Sequence, residues 1–525
     1  MAKINTIKQL LNSFAARHLF HVTIFLLLSF NLQAQDTSTE APVKRKRIDL
    51  IHADDDIIER DKVTRKDWHR LLGHVVLKYN EIVNNCDSAH WYPDKNQVTA
   101  YSKIHIEQGD TLDIYSDYLF YDGATAQALL ENNVELIDKE THLYTNRITY
   151  DVNNRIAQYY DGGKIINGEN TLTSKIGIYY VSQNLFHFKD SVKIVNPEYV
   201  MTADTMDYNT ETETSIFTGP SEMTGDSIYI YCERGWYDTK NNLTRISKNA
   251  LIDNKQQIIT GDSLFYDENT GYGQAFRNVS IADTNNHIIV KGDYVWYYKK
   301  PERFTATDSA MFIQISDKDS LFLHADTISA ITVRDTSLNG YRLMRAYFGC
   351  RVFSKDMQAK CDSLSYSFRD SVIRLYTAPV IWSEENQLTS DSMAIFTRNR
   401  QAERMELYNT AFITSKVDSL RYNQVKGRSL IGYFKDNELY KIDVNGNGES
   451  IYYLVDGEEI VGVNTTRCAS IEIFVENGKI IEIYERQSPE GLIDPPSVTP
   501  GPDQILSGFN WFDSLRPKKI LDIFK

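Results

Sequence analysis

Gly261-Asp262-Ser263-Leu264-Phe265-Tyr266-Asp267 is the stretch whose reading decides how this chain folds. Leu264 and Tyr266 stand two apart, with Ser263 and Phe265 in the alternate places. Side chains along an extended strand point to opposite faces in turn, so the stretch reads as a strand with a face to bury. It recurs at Asp117-Tyr118-Leu119-Phe120-Tyr121-Asp122, Ala203-Asp204-Thr205-Met206-Asp207-Tyr208, Gly292-Asp293-Tyr294-Val295-Trp296-Tyr297, Cys361-Asp362-Ser363-Leu364-Ser365-Tyr366 and Ser390-Asp391-Ser392-Met393. With Asp as the phase marker, equivalent positions are Asp117, Asn146, Lys175, Asp204, Glu233 and Asp262. Their even spacing of about 29 residues is a period typical of repeat architectures. A second marker, small or β-branched, keeps the same period at Val134, Gly163, Val192, Ser221, Ala250 and Val279. Outward the phase loosens but survives, through Asp87 before the regular stretch and Asp293, Asp326, Asp362 and Asp391 after it.

Two alternating segments per period predict two strands of roughly 7 to 10 residues per repeat, joined by Asp-, Asn- and Gly-rich turns. The marker Asp is read as a turn residue where a strand begins. The fold class is therefore all-β: an elongated repeat of two facing antiparallel sheets, a β-jellyroll of about 29 residues per repeat. The in-phase residues line a seam between the sheets. They are Leu119, Tyr121, Val134, Leu136, Ile148, Tyr150, Val192, Ile194, Met206, Tyr208, Leu264, Tyr266, Val279, Ile281, Leu364, Tyr366, Val380 and Trp382. Alternation alone leaves open whether that seam is a filled core or a groove.

At 525 residues with 42% hydrophobic content, the length measures how far such a repeat extends rather than how many domains there are. The net charge of −14 excludes nucleic acid as a partner, because a phosphate backbone needs a basic footprint. Lys3, Lys8 and Arg17, the apolar run Leu19 to Phe30 and Leu32-Gln33-Ala34 predict a signal peptide over 1–34 and export of the remainder. Residues 35–64, with Lys44-Arg45-Lys46-Arg47 and Asp54-Asp55-Asp56, read as a flexible leader. Repeats follow over 65–315. The register slips near 315, a less regular β block runs over 316–487, and 488–525 is a proline-rich tail with an aromatic cluster at Phe509, Trp511 and Phe512.

The recurring Ala/Gly-Asp-x-Leu-x-Tyr-Asp phrase, alternating with an Asn-Val-x-Ile/Leu strand behind an export signal, resembles the lipopolysaccharide-transport A / organic-solvent-tolerance A (LptA/OstA-like) family over roughly residues 65 to 487. The resemblance implies a twisted, partly open β-jellyroll in the periplasm of a diderm bacterium. It implies an apolar groove that shields lipid A acyl chains. It implies jellyrolls joined end to end by sheet pairing, as a bridge between inner- and outer-membrane machinery for outer-membrane assembly. The partners so implied are lipopolysaccharide and other β-jellyroll transport proteins, with no cofactor. This chain departs from short members of the family in its length, its second block and its tail. Arg147, Lys175 and Arg277 are candidate cations at the rim for phosphorylated headgroups.

Catalytic patterns are sparse. The 11 His form no His-Glu-x-x-His, and neither a Gly-x-Ser-x-Gly elbow nor a phosphate-binding glycine loop occurs. The reading is therefore of a non-enzyme without metal or cofactor. A structural or adhesive β-solenoid without cargo and a polysaccharide-acting β-helix enzyme stay open as other classes. Of the five Cys, Cys350 and Cys361 are placed to fall on neighbouring strands, where they either pair or remain isolated core residues.

Overall fold

The computed structural model describes residues 47–525 except 80–81, 109–111, 139–140, 210, 239, 317–319, 336–337, 399–400, 436–437, 458, 477–478 and 496–503. The signal peptide expected over 1–34 lies outside the described residues. Those residues form strands and a few 3-10 turns, and the strand pairings are antiparallel. Among them, no helix is long and apolar enough to cross a membrane. The chain divides into two compact units, residues up to 255 with 263–269, and residues 256–262 with 270–525. The register slip near 315 lies inside the second unit.

The stretch expected as a leader is partly strand. Asp49–His52 and Asp55–Arg60 both pair with Asp67–Tyr79, through Leu50↔Leu77 and Ile57↔Arg70. Charged runs on either side hide a short alternation, Ile48 and Leu50, whose side chains reach the first unit's core.

Strands in the repeat are longer than the alternation predicts, because each is bent rather than interrupted. Leu112–Asp122 and Gln127–Asp138 pair on both sides of a register shift between Tyr115 and Tyr118. At that shift the second strand carries Asn132 and Asn133 in the left-handed region, with φ of 62° and 53°. The same two-residue corner recurs at Ser102 and Lys103, Asp190 and Ser191, Lys248 and Asn249, and Arg277 and Asn278. Asn tolerates that conformation better than most residues, since its short polar side chain bonds locally.

These corners correct the reading of the marker Asp. Asp117 sits in mid-strand, and the Asn133 amide Nδ2 donates to its Oδ2 at 2.7 Å. Asn278 donates to Asp262 at 3.2 Å, Asn249 to Glu233 at 2.7 Å, Ser102 to Asp87 at 2.8 Å and Thr410 to Asp391 at 2.7 Å. The two sequence markers are thus the two halves of one corner, brought opposite each other by the hairpin. Turn duty falls instead to the Asp that closes the Tyr-Asp pair: Asp122, Asp151 and Asp267 accept backbone N–H groups of Ala124, Asn154 and Asn269 at 2.9 to 3.0 Å.

Bending lets one strand line a core from both sides. In Leu185–Asn196, Phe186 and Phe188 before the corner and Val192 and Ile194 after it join one apolar cluster with Met206 and Tyr208 of the next strand. Complete burial of side chains of this size stabilises by about 1.5 to 3 kcal/mol each. In the second unit, residues 302–398 have the corner opened into a full break, as between Glu302–Thr307 and Met311–Gln314. Asp308, Ser309 and Ala310 fill that gap. Long strands return with Gln401–Lys416, Tyr422–Lys435, Glu438–Asp456 and Glu459–Glu476. The tail is also ordered onto this unit: Glu490–Asp494 pairs with Glu459–Glu476, and residues from 504 onward pack on it.

Candidate functional site

In the first unit the bent strands enclose an apolar cavity of about 190 Å³. Seven successive strands wall it, from Asp67–Tyr79 to Ile156–Tyr159, and the corners supply its shape. Ile114 and Leu119 both line it although they flank Asp117 at an odd separation, while on the partner strand Leu130 and Val134, on either side of Asn132 and Asn133, stay in phase. Strict alternation would send Ile114 and Leu119 to opposite faces, and the corner returns both to one interior.

Six of the seam residues expected from sequence meet here: Leu119, Tyr121, Val134, Leu136, Ile148 and Tyr150. Ile194, Met206 and Tyr208 line a second, much smaller cavity of about 30 Å³, beside the buried Val192. Leu264 is buried and Tyr266 half-buried, at neither cavity. In the second unit Val279, Leu364, Val380 and Trp382 are buried, while Ile281 and Tyr366 are half-buried. Leu77, Val98, Ile106, Ala128 and Leu130 line the large cavity without having been singled out. The signal for them was present as the alternation of their own strands, and Ala128 and Leu130 share the phase of Val134 and Leu136.

Polar groups at the cavity are few. Asn84 is buried, and neither its Nδ2 nor its Oδ1 meets a partner among the described residues. A buried carboxamide left unpaired costs about 1 to 3 kcal/mol. Tyr79 and Tyr121 lie with ring centroids 5.7 Å apart, and burial, followed by the Tyr79 hydroxyl, pushes the Tyr121 phenol up. Burial likewise raises Tyr150, and Tyr208 at the smaller cavity is pushed up to about 12. These phenols stay protonated at neutral pH, and the charged side chain at the lining of the large cavity is the exposed Lys78.

The expected rim cations are dispersed. Arg147 pairs with Glu131 at 3.2 Å, Arg277 is a corner residue with φ of 53°, and the Lys175 backbone N–H donates to the Asp190 carbonyl at 3.0 Å. On the surface His105, Glu107 and Asp113 gather with their ligating atoms within 4.8 Å. His105 is hydrogen-bonded to Asp113 at 2.7 Å and stacks on Tyr115 at 4.5 Å, so the imidazole already has a partner within the protein.

A family model described as OstA-like protein matches residues 45–204 and 206–314. Among solved structures, the chain is similar to the crystal structure of LptH from Pseudomonas aeruginosa, described as the LptA homologous periplasmic component of the conserved lipopolysaccharide transport device. The match has 16% identity and covers 20% of this chain and 79% of that chain, with a TM-score of 0.18. No curated protein matches.

Proposed function

This chain belongs to the OstA-like protein family, and from that membership and the cavity of the first unit we propose that it carries lipopolysaccharide, shielding acyl chains in that cavity. The observation that supports the reading is a predominantly apolar cavity of about 190 Å³ walled by seven successive strands, with Lys78 its one charged lining residue. Apolar cavities of comparable size in other proteins stay dry and take up apolar ligands. Acyl chains gain about 0.8 kcal/mol per buried CH₂, so half a dozen methylenes contribute on the order of 5 kcal/mol without any shaped pocket. Asn84 meets an ester, amide or hydroxyl oxygen near the head of such a chain. No catalytic group is required of a carrier.

The proposed setting is the periplasm, reached through the N-terminal signal, with this chain bridging inner- and outer-membrane machinery in outer-membrane assembly. Its partners are other β-jellyroll transport proteins, joined by end-to-end sheet pairing. Supporting this, Asp49–His52 and Asp55–Arg60 each have one paired edge, against Asp67–Tyr79, and none on the other side among the described residues. Open edges are the usual substrate of strand addition. Ile51 and Ile58 on these strands are exposed.

The reading is tested by native mass spectrometry of the mature chain, from residue 35 onward, purified from a lipopolysaccharide-producing host. Lipid A-type species are expected on the wild type. They should be largely lost from Ala128→Trp, which fills the cavity from its lining. A wild type that is lipid-free and takes up no added lipopolysaccharide sinks the proposal.

A further inference from the structure

The seam of the second unit is furnished differently. Gln358, Trp382, Gln387, Thr414 and Gln424 are successive cross-strand partners, so their side chains share one face in a row perpendicular to the strands. The three glutamines are 4%, 1% and 2% exposed. Burying a carboxamide among apolar groups is unfavourable unless both its donor and its acceptor are engaged. Here the C-terminal segment engages both ends of Gln387 and Gln424 and the acceptor of Gln358, whose Nε2 donates to the Ser354 carbonyl at 2.7 Å. Gln424 Nε2 donates to the Gln504 carbonyl at 3.1 Å, and its Oε1 accepts from the Leu506 N–H at 2.9 Å. Gln387 repeats the pattern, donating to the Asn510 carbonyl and accepting from the Phe512 N–H, both at 2.7 Å. Each amide bridges residues i and i+2, as the peptide group of a neighbouring strand would. Gln358 Oε1 accepts from Arg516 Nε at 2.7 Å, and Arg516 Nη1 donates to the Glu384 carbonyl at 2.8 Å.

Apolar anchors alternate with these bonds. Leu506 is buried with Phe412 and Ile451, Phe509 packs beside them, and Ile523 is fully buried near the chain's end. Gln358 and Gln387 are separated by one repeat period, and Gln424 follows on the same row through Thr414.

We propose that the second unit is a peptide-binding groove whose resident ligand is the chain's own C-terminal segment, 504–525, and that this occupancy bars the groove to acyl chains. An acyl chain offers no donor or acceptor to three buried amides, whereas a peptide backbone offers both at regular spacing. The statement about acyl chains rests on the carrier reading of the first unit; the peptide site does not.

The test places a specific protease site within 496–503 of the full chain and cleaves after folding. The fragment is expected to co-elute with the body and to exchange with an excess of fluorescently labelled synthetic 504–525 peptide. Gln387→Leu with Gln424→Leu should weaken peptide binding at least tenfold, on the order of one lost hydrogen-bonded contact. In an ordinary apolar core the same substitutions would be tolerated or favourable. An apolar dye should gain a binding site when the fragment is washed out and lose it when the peptide returns. The proposal is overturned by a scrambled peptide that binds equally, by unchanged binding in the glutamine variant, or by a fragment that never exchanges and whose removal unfolds the unit. None of these readouts uses lipid, so failure of the carrier reading is seen separately.

Discussion

At the scale of single residues, the corner explains why the sequence repeats in the way it does. Asn249 holds a left-handed φ of 56° and donates to Glu233 at 2.7 Å, so it does two jobs. Asn249→Gly keeps the conformation and loses the bond, for an expected cost of about 0.5 to 1.5 kcal/mol. Asn249→Val also forces a β-branched side chain into that region, and the cost should rise to about 1 to 3 kcal/mol. Urea midpoints of the two variants measure the difference; equal midpoints would remove the conformational part of the argument. At the first corner the Asn is replaced by His74, whose Nδ1 lies 2.7 Å from Asp54 Oδ2. The bond to Asp54 raises His74 above its ordinary 6.5, and the bond to His74 holds Asp54 below the ordinary carboxylate value of 3.8. Worked through, the imidazole's contribution is complete below its ordinary value and is lost as pH rises through its raised one. The carboxylate's contribution is present above its ordinary value and is lost as pH falls through its depressed one. The pair is therefore strongest between the two. An NMR titration should place His74 above 6.5, and Asp54→Asn should bring it back toward that value. The marker Asp and the position beside its partner were both legible from spacing; that the two meet was not, because the bond reaches across a hairpin to the neighbouring strand.

At the scale of the strand pair, register decides which side chains meet. Cys350↔Cys361 is a directly opposed pair on Cys350–Phe353 and Gln358–Cys361, and both thiols are free and buried. Opposed residues of antiparallel strands sit about 4.5 to 5.5 Å apart at Cα, inside the range a disulfide spans. The hydrogen bond between the two thiols, followed by burial, pushes Cys361 well up, so little thiolate exists to react in the folded chain. Refolding under an oxidised glutathione buffer should therefore close this bridge, and the same buffer applied to folded protein should act slowly. Thiol titration in denaturant should fall from five, the cysteine content, to three. Persistence of all five after oxidative refolding would place the two side chains out of bonding geometry. Elsewhere at this scale, Gly163 and Gly177 flank the Tyr159 ring so closely that an added Cβ would lie 2.4 Å from it. Tyr159 is buried and bonded to Ser174 Oγ at 2.7 Å, so it has nowhere to move. Gly177→Ala should cost about 1 to 3 kcal/mol through overpacking. Gly168→Ala, with open space around its Cβ, should cost less despite its φ of 53°. Thermal midpoints of the two variants rank them. Alternation foretold strands and the neighbouring placement of the two Cys. It could not foretell strand length, since the corner that joins two short segments into one long strand appears in sequence as a break in phase.

At the scale of the whole chain, two units built on one repeat have come to hold different things. Six expected seam residues of the first unit surround a cavity, and in the second Trp382 stands between Gln358 and Gln387 under the chain's own tail. The sequence pattern reported a seam in both, because Leu, Val and Tyr at period 2 look alike whether they face a cavity or another segment. What separated the units was three Gln at seam positions and an aromatic tail, features whose meaning depends on contacts between parts of the chain far apart in sequence. In a repeat protein each rung contacts mainly its neighbours, so loss of an occupant should be felt locally. Hydrogen exchange of the cleaved chain, with and without the fragment 504–525, puts this to the test. Removing the fragment should raise exchange in Gln358–Cys361, Asn386–Thr389 and Tyr422–Lys435, the strands that carry the glutamines. Exchange in Leu112–Asp122, Gln127–Asp138 and Thr141–Asp151 should be unchanged. Ala128→Trp should leave exchange in the glutamine strands as it is while its lipid content falls. Loss of protection throughout both units would mean that the tail is a global stabiliser, and the division of labour between cavity and groove would fail.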